Sequence, residues 1–386
     1  MTQPGKSLFR TIPLRAALPL IAALAGCGGD GRDPAKDAVV TQYVKIVRAS
    51  YDDSIAGAKT LRDTINDLVT EPSQKTLDAA RKAWVAARPA YLQTEAFRFY
   101  AGPIDAAENG REARLNAWPL DESFIDYVAG PAGAAPTRLG IINDRKTFPD
   151  LSADVLIGEN GAAGERDIVT GYHALEFMLW GQDVSASGPG NRPFSDFVAG
   201  TGALDPDADR RRQYLKLVVE LLVDDLSYVR EQWNEGAPYL RAFLANADDG
   251  SLQKMVRGIT LLTKNELVEK RLRPATEPQD VEYEQSRFSD STDQDMSFDL
   301  LGIENVYLGR YGDDDAKGLE DLVRVADTEL DTQIKAQLEA AAAALEAIPK
   351  PYDQALKNEP RKLRDALRAL EDLHGSLTKI PEALGL

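Results

Sequence analysis

The sequence predicts an all-α protein built as two bundle-like helical halves. Apolar residues recur at helical spacing through most of the chain from Pro34 onward, and no convincing alternating strands or hairpin turns interrupt them. One short pattern also appears twice. The stretch 171–181, GYHALEFMLWG, encloses nine residues between glycines, and 302–312, GIENVYLGRYG, does the same. Each is followed by a loop and a long amphipathic helix. This fits an internal duplication, with chance as the alternative. The split falls near Gly236 and gives an N-terminal half at 34–235 and a C-terminal half at 236–386.

The first element is a leader rather than part of the fold. Lys6, Arg10 and Arg15 form a basic start, and the apolar run 16–26 that follows is too short to span a bilayer as an ordinary helix. It ends in Leu24-Ala25-Gly26-Cys27, which looks like a bacterial lipobox. Cys27 is the only cysteine, and lipid is attached at that position in such signals; an ordinary signal peptide with an incidental cysteine is the alternative. Residues 1–26 are therefore read as a lipoprotein signal peptide and 27–33 as a flexible polar linker. The mature protein is expected in the bacterial cell envelope, lipid-anchored at Cys27 and facing the periplasm. Gly28 gives no acidic retention signal, which points to the outer membrane in bacteria that use that rule. The chain carries 45 Lys+Arg against 62 Asp+Glu, a net charge of −17. Removing 1–26 takes away three cations and no acids, leaving −20. Such a balance argues against a nucleic-acid partner, because phosphate binding needs clustered positive charge.

The first helix follows from Val40, Tyr43, Val44, Val47, Tyr51, Ile55 and Ala58 on one face. The second begins near Ser73 and runs to about Tyr100, with Pro89 kinking or breaking it. The third is the stretch 171–180. The fourth opens at Asp205-Pro206, an N-cap followed by proline at the first helical position, and continues to about Trp233. Further helices fit 251–271, 316–348 and 352–375. The segments 101–165, 183–205 and 272–300 read as long irregular connections, a length usually tied to function or held by packing.

The third helix poses the chemical question. His173 and Glu176 are three apart and share a face, which Phe177 and Trp180 continue. A helix apolar on all sides is normally buried, and a buried glutamate needs a partner. The partner is another side chain, water or a metal. The bland reading is a hydrogen-bonded pair that orders the core. On the second helix, Trp84, Arg88, Tyr91, Glu95 and Arg98 line one face. That face reads either as solvated, with intrahelical ion pairs, or as the wall of a site. His374, the other histidine, lies on a polar C-terminal helix and reads as an exposed bystander.

The stretch GYHALEFMLWGQD (171–183) carries G-x-H-x-x-E and resembles the signature of the imelysin-like proteins. The resemblance extends to EAFRFYAGPID (95–105), NAWPLDESFIDY (116–127), GPGNRPFSDF (188–197), SRFSDSTDQD (286–295) and GIENVYLGRY (302–311), in order along nearly all of the mature chain. It implies an all-helical fold of two halves, an extracytoplasmic location, a link to iron supply with an iron-uptake partner, and a site around His173 and Glu176 near where the halves meet. Glu95, Arg98, Ser286 and Asp290 match other motifs of the family.

Two main functions follow. The first is an iron-linked protein that binds a metal, iron or zinc, through His173, Glu176 and Glu95. Arg98 tunes the carboxylates, and Tyr91, Trp180, Ser286 and Asp290 surround the ligand. The second is a metal-dependent peptidase of the imelysin type with Glu176 as the catalytic carboxylate. Phe177 stands where H-x-x-E-H would need its second histidine, and no cysteine nucleophile remains after lipidation. A serine triad would have to pair His173 with Ser286. A helical protein-recognition scaffold with a purely structural His–Glu pair is the third reading. Cys27→Ala should abolish incorporation of a radioactive fatty acid and give a soluble or unprocessed product; label retained in that variant overturns the anchor.

Overall fold

Asp33 starts the first helix by accepting a hydrogen bond from the Ala35 N–H at 2.8 Å, with Pro34 at the first helical position. The helix, α1 (Pro34–Thr70), buries Val40, Tyr43, Val47, Tyr51, Ala58, Leu61 and Ile65 along one side. Ser73 and Thr76 form a capping box for α2 (Gln74–Gln93). Three short helices follow in the first long connection: α3 (Glu112–Leu115), α4 (Glu122–Ile125) and α5 (Ala153–Glu159). Then come α6 (Gly171–Trp180), α7 (Ala208–Glu231), α8 (Pro238–Ala245), α9 (Gly250–Leu261) and α10 (Arg273–Thr276). The chain finishes with α11 (Thr292–Leu308), a two-residue hairpin of β1 (Arg310–Tyr311) and β2 (Asp314–Asp315), and α12 (Leu319–Ala326), α13 (Thr328–Glu346), α14 (Tyr352–Asn358), α15 (Pro360–Leu377) and α16 (Ile380–Leu384). The computed structural model describes residues 33–128, 139–184, 188–246, 249–276 and 284–386. The leader, Cys27 and linker residues 28–32 lie outside the described residues.

The all-α expectation holds, with differences at helix ends. The second helix stops at Gln93 rather than near Tyr100, and a single 3₁₀ turn, Thr94–Phe97, takes over. Phe99 and Ala101 then adopt left-handed backbone (φ 71° and 54°), which no helix continues through. The fourth helix begins at Ala208. Asp205 accepts from the Asp207 N–H at 2.7 Å and organises the turn before it, so the predicted cap lies just ahead of the helix. The region 316–348 is broken at Asp327, whose side chain caps α13 through the Leu330 N–H at 3.0 Å. The region 352–375 is broken before Pro360. Part of the expected irregular segment 272–300 is the start of α11. The two matched glycine stretches differ locally: Gly171 opens a helix, whereas Gly302 lies inside α11.

The helix 251–271 is continuous in direction but changes type. From Leu262 to Leu272 it is a π-helix, with one extra residue in each turn. In an α-helix Glu266 and Arg271, five apart, would point about 140° away from each other. In the π geometry they face the same way, and their side chains meet at 3.5 Å.

α1 packs on α2 and α7, and α6 packs on the same two helices. Beyond Gly236, α13 packs on α11 and α15, and the π-helix lies on α15. α2 and α11 pack on each other and join the two groups. Two glycines permit the closest approaches around the end of α2. A Cβ on Gly302 would lie 2.5 Å from the Gln93 carbonyl oxygen, and one on Gly258 would collide with that of Ala96. Gly302→Ala should therefore lower stability by about 1–3 kcal/mol through forced displacement of α11. A melting temperature equal to that of the wild type would show that the two backbones are not in this contact.

Candidate functional site

All ten residues of α6 are buried, including His173 and Glu176. Gly171 begins the helix at φ 86°, and a Cβ there would lie 2.5 Å from the Leu115 carbonyl oxygen. Gly181 ends it at φ 74° and donates to the Phe177 carbonyl at 2.7 Å. Glycine suits both positions because each combines left-handed backbone with a tight neighbour. The indole N–H of Trp84 donates to the Tyr172 carbonyl at 2.9 Å and fixes α2 against α6.

His173 Nδ1 is 2.8 Å from Glu176 Oε2. The other Glu176 oxygen accepts from the Ser289 N–H at 2.9 Å and from its hydroxyl at 2.7 Å. The loop carrying Ser289 is held on α6 by Phe288 against Phe177, ring centroids 5.4 Å apart. Both carboxylate oxygens of Glu176 are thus committed, one to its own helix and one to the loop before α11. Among the described residues, His173 Nε2 has no hydrogen-bond partner. With Nδ1–H donated to Glu176, that nitrogen carries the free lone pair.

The face of α2 that admitted a solvated reading is buried. Trp84, Arg88, Tyr91, Glu95 and Arg98 all lie in the interior, although Glu95 and Arg98 stand on the 3₁₀ turn and its end rather than on α2 itself. Arg88 donates to Asn116 Oδ1 at 2.6 Å and pairs with Asp295 Oδ1 at 3.2 Å, and its guanidinium lies 5.0 Å from the Tyr172 ring centre. The Ser286 hydroxyl donates to the second Asp295 oxygen. Arg98 pairs with Glu95, with Glu112 at 3.0 Å and with Glu266 at 3.7 Å; Asn116 donates to Glu95 at 3.4 Å. From the π-helix, Arg271 reaches Asp299 at 3.3 Å and donates to Gln285 at 2.7 Å. Both oxygens of the fully buried Asp299 lack a hydrogen-bond partner among the described residues.

Electrostatics follow from this burial. The His173 imidazole is pushed down to about 3 by desolvation and then by Arg88, which outweigh the pull of Asp295 and Glu95. The Glu176 carboxyl is pushed up to about 7 by desolvation, against the hydrogen bonds from Ser289. Burial drives Asp299 well above the carboxylate range despite Arg271. Burial also acts to raise Glu266, yet Arg98, Arg271 and Lys270 together bring it down to about 2.

The structure thus gathers Tyr91, Glu95, Arg98, His173, Glu176 and Ser286 in one buried polar network between α2, α6, α11 and the π-helix. The predicted triad His173, Glu176 and Glu95 does not converge on one point: the first two bond each other, and Glu95 is held by Arg98 and Asn116. Among the described residues, no three His, Cys, Asp or Glu side chains form a group able to hold a metal as they stand. Trp180 packs edge-on against Trp84 at 5.4 Å, at the far end of α6. Asp290 is half-buried with left-handed backbone (φ 57°), and its carboxyl is raised to about 7 by burial and by Asp183, Asp353 and Glu176. His374 is half-buried rather than exposed. Sequence reasoning missed Asp295, Asp299, Arg271 and Asn116 as members. The signal for the first two was present: they are four apart on α11 among Met296, Leu300 and Ile303. The segments 116–127 and 188–197 meet in a second buried network, where Asp126 takes Arg192 at 2.8 Å and Arg211 at 2.7 Å.

Comparison with known proteins adds four findings. A family model described as Imelysin matches residues 47–378. Iron-regulated protein A of Synechococcus elongatus is 24% identical over 377 residues, covering 93% of this chain and 90% of that protein. Among solved structures, an iron-regulated protein A precursor from Parabacteroides distasonis superposes with a TM-score of 0.69 at 20% identity, covering 92% of this chain and 97% of the other. An imelysin-like protein from Psychrobacter arcticum gives 0.61 at 16%, covering 91% and 96%.

The two shifted groups of α6 act oppositely on stability. His173 falls from 6.5 to about 3 on folding, so its contribution is intact above about 6.5 and is lost as pH falls toward 3. Glu176 rises from 4.5 to about 7, so its contribution is intact below about 4.5 and is lost as pH rises through 7. Between 4.5 and 6.5 the two slopes cancel. His173→Gln removes the first alone. Its stability relative to wild type should therefore improve on acidification below pH 6.5, on the order of 1 kcal/mol per pH unit. Parallel denaturation profiles of the two proteins across that window would contradict a buried neutral imidazole.

Proposed function

The chain belongs to the imelysin family, and from that premise we propose that it is an iron-linked, cation-binding protein of the bacterial envelope, tethered through lipid on Cys27. The single observation that carries the cation reading is the orphaned His173 Nε2. A buried polar atom without a partner costs about 1–3 kcal/mol, and a cation bound at His173 Nε2 would recover that cost. Glu176 holds the imidazole in one tautomer and is itself held by Ser289. Metal-ligating histidines are commonly oriented by a carboxylate in this way. On this reading His173 is the ligand and Glu176 positions it. Glu95, Asp295 and Asp299 are the carboxylates available to complete the set. One imidazole nitrogen with carboxylate oxygens suits iron or zinc. Because Arg98, Arg88 and Arg271 are paired with Glu95, Asp295 and Asp299 in turn, binding entails drawing at least one carboxylate away from its arginine. The relatives' description as iron-regulated supports iron as the cargo. No described helix is long and apolar enough to cross a membrane.

The peptidase reading gives Glu176 the role of general base. Both of its oxygens are already hydrogen-bonded, and the motif lacks the second histidine of the metallopeptidase signatures, so binding without hydrolysis is the reading taken.

Metal analysis of the tag-free mature protein, with titrations of iron(II), iron(III) and zinc, tests the proposal. Wild type should bind at least one of them and gain thermal stability by mass action. His173→Ala should weaken affinity at least tenfold, about 1.4 kcal/mol, and Glu95→Gln and Asp299→Asn should weaken it too. A protein that purifies metal-free, and whose melting temperature ignores all three metals, leaves His173–Glu176 as a structural pair.

A further inference from the structure

Glu284 Oε1, Asp290 Oδ1 and Asp353 Oδ1 are buried carboxylate oxygens with no hydrogen-bond partner among the described residues. Glu284 and Asp290 stand at two points of the loop before α11, and Asp353 stands in the first turn of α14. Glu284 is 3% exposed and Asp353 6%. Two contacts draw these stretches together. Arg271 donates to the Gln285 side chain at 2.7 Å, and its carbonyl accepts from the Tyr352 hydroxyl at 3.5 Å. Glu284 and Asp353 are thus each one residue from a group held by the same arginine. Lys350 pairs with Asp293 and ties the approach to α14 onto the start of α11. The charges that act on Glu284 are those of Asp290, Asp353 and Asp183, and Asp183 and Asp353 act on Asp290 in turn. Burial and then this company push the Glu284 carboxyl up to about 8, against a hydrogen bond from Thr292. The other Asp353 oxygen accepts from Gln354 at 2.9 Å and lies 3.5 Å from the half-exposed Lys357 ammonium. That ammonium brings one positive charge to a set of three carboxylates.

We propose that Glu284, Asp290 and Asp353 hold a hard divalent cation, calcium, at a second site separate from His173 Nε2. Carboxylate and water oxygens suit such a cation, whereas an imidazole suits iron or zinc. Buried carboxylate oxygens are costly without a partner, and one cation meets several of them at once. No three acids stand close enough to ligate an ion directly, so water fills part of the coordination sphere. Calcium takes about six to eight oxygens in flexible geometry with water among them, whereas magnesium demands a near-ideal octahedron. A proton shared among the three acids is the alternative occupant. The cation would also brace the loop on α6, because Ser289, which bonds Glu176, directly precedes Asp290. The site depends neither on iron at His173 nor on lipid at Cys27.

Calorimetric titration of the mature protein with calcium chloride, in salt high enough to screen surface charge, tests the site. One ion should bind per chain and raise the melting temperature by mass action. Glu284→Gln and Asp353→Asn should each weaken binding at least about tenfold, because affinity follows the charge of the ligand set. Asp290→Asn, at a half-buried loop position, should do the same and supplies the readout if either buried substitution prevents folding. Without calcium, Glu284→Gln should melt no lower than wild type, since the amide removes repulsion. Two controls should keep full calcium affinity: His173→Gln, and Asp313→Asn with Asp315→Asn on the exposed hairpin. Neither heat nor a rise in melting temperature overturns the site and leaves the shared proton as what relieves the three acids. Binding that is lost in the hairpin variant, or equal affinity for magnesium, means diffuse attraction to an acidic surface and overturns it as well. Binding lost in His173→Gln but kept in Glu284→Gln places calcium at the imidazole and also overturns the proposal.

Discussion

The carboxylate of Glu176 is the constraint on which the rest of this architecture depends. It sits on a helix with no solvent-facing side, so neither of its oxygens can be left to water. One is satisfied within the helix by His173, and the other must be reached from outside. Ser289 does this from a loop more than a hundred residues later in the chain. That requirement brings the start of α11 against α6, and with it Asp295 and Asp299. These acids in turn need Arg88 and Arg271, which come from α2 and the π-helix. A single buried carboxyl group thus recruits partners from four separate stretches of sequence.

The choice of arginine at these positions follows from geometry. Each guanidinium serves several acceptors at once: Arg88 meets Asn116 and Asp295 while stacking among Trp84, Tyr91 and Tyr172, and Arg98 meets three glutamates. A lysine presents a compact point charge that could not span such partners, and it would be neutralised more readily on burial. Carboxylates outnumber cations in this network, and burial raises the carboxyls of both Asp299 and Glu176. On the proposed reading, the imidazole lone pair and these acids are what a bound cation would meet.

Much of the fold was legible because helix periodicity is a local property. The motif 171–181 was legible for the same reason: a histidine and a glutamate three apart on an all-apolar helix announce their own burial. The polar face of α2 was ambiguous because its spacing is the same whether it meets water or other charges, and only the packing of α6 and α11 decides. Asp295 and Asp299 obey the rule that flagged Glu176. They went unread because they fell in a stretch whose helical start was hidden behind a loop-like composition. The end of α2 was misplaced because its turn tightens under close backbone contact with α9 and α11, through Gly258 and Gly302, and no sequence window contains that contact.

The π-helix at Leu262–Leu272 carries an implication for how chains of this kind diverge. Such a segment holds surplus residues relative to an α-helix, so losing one residue there returns the backbone toward ordinary α spacing at little cost in main-chain bonding. A loss outside the interval 266–271 would leave the two side chains of Glu266 and Arg271 five apart, about 140° around an α-helix, and break their pair; a loss within it would leave them four apart, about 40°, and keep it. Where a gap falls, and not only whether there is one, therefore decides whether Arg271 still faces Glu266. Two homologues of the same fold could differ in this ion pair through the position of a single-residue gap.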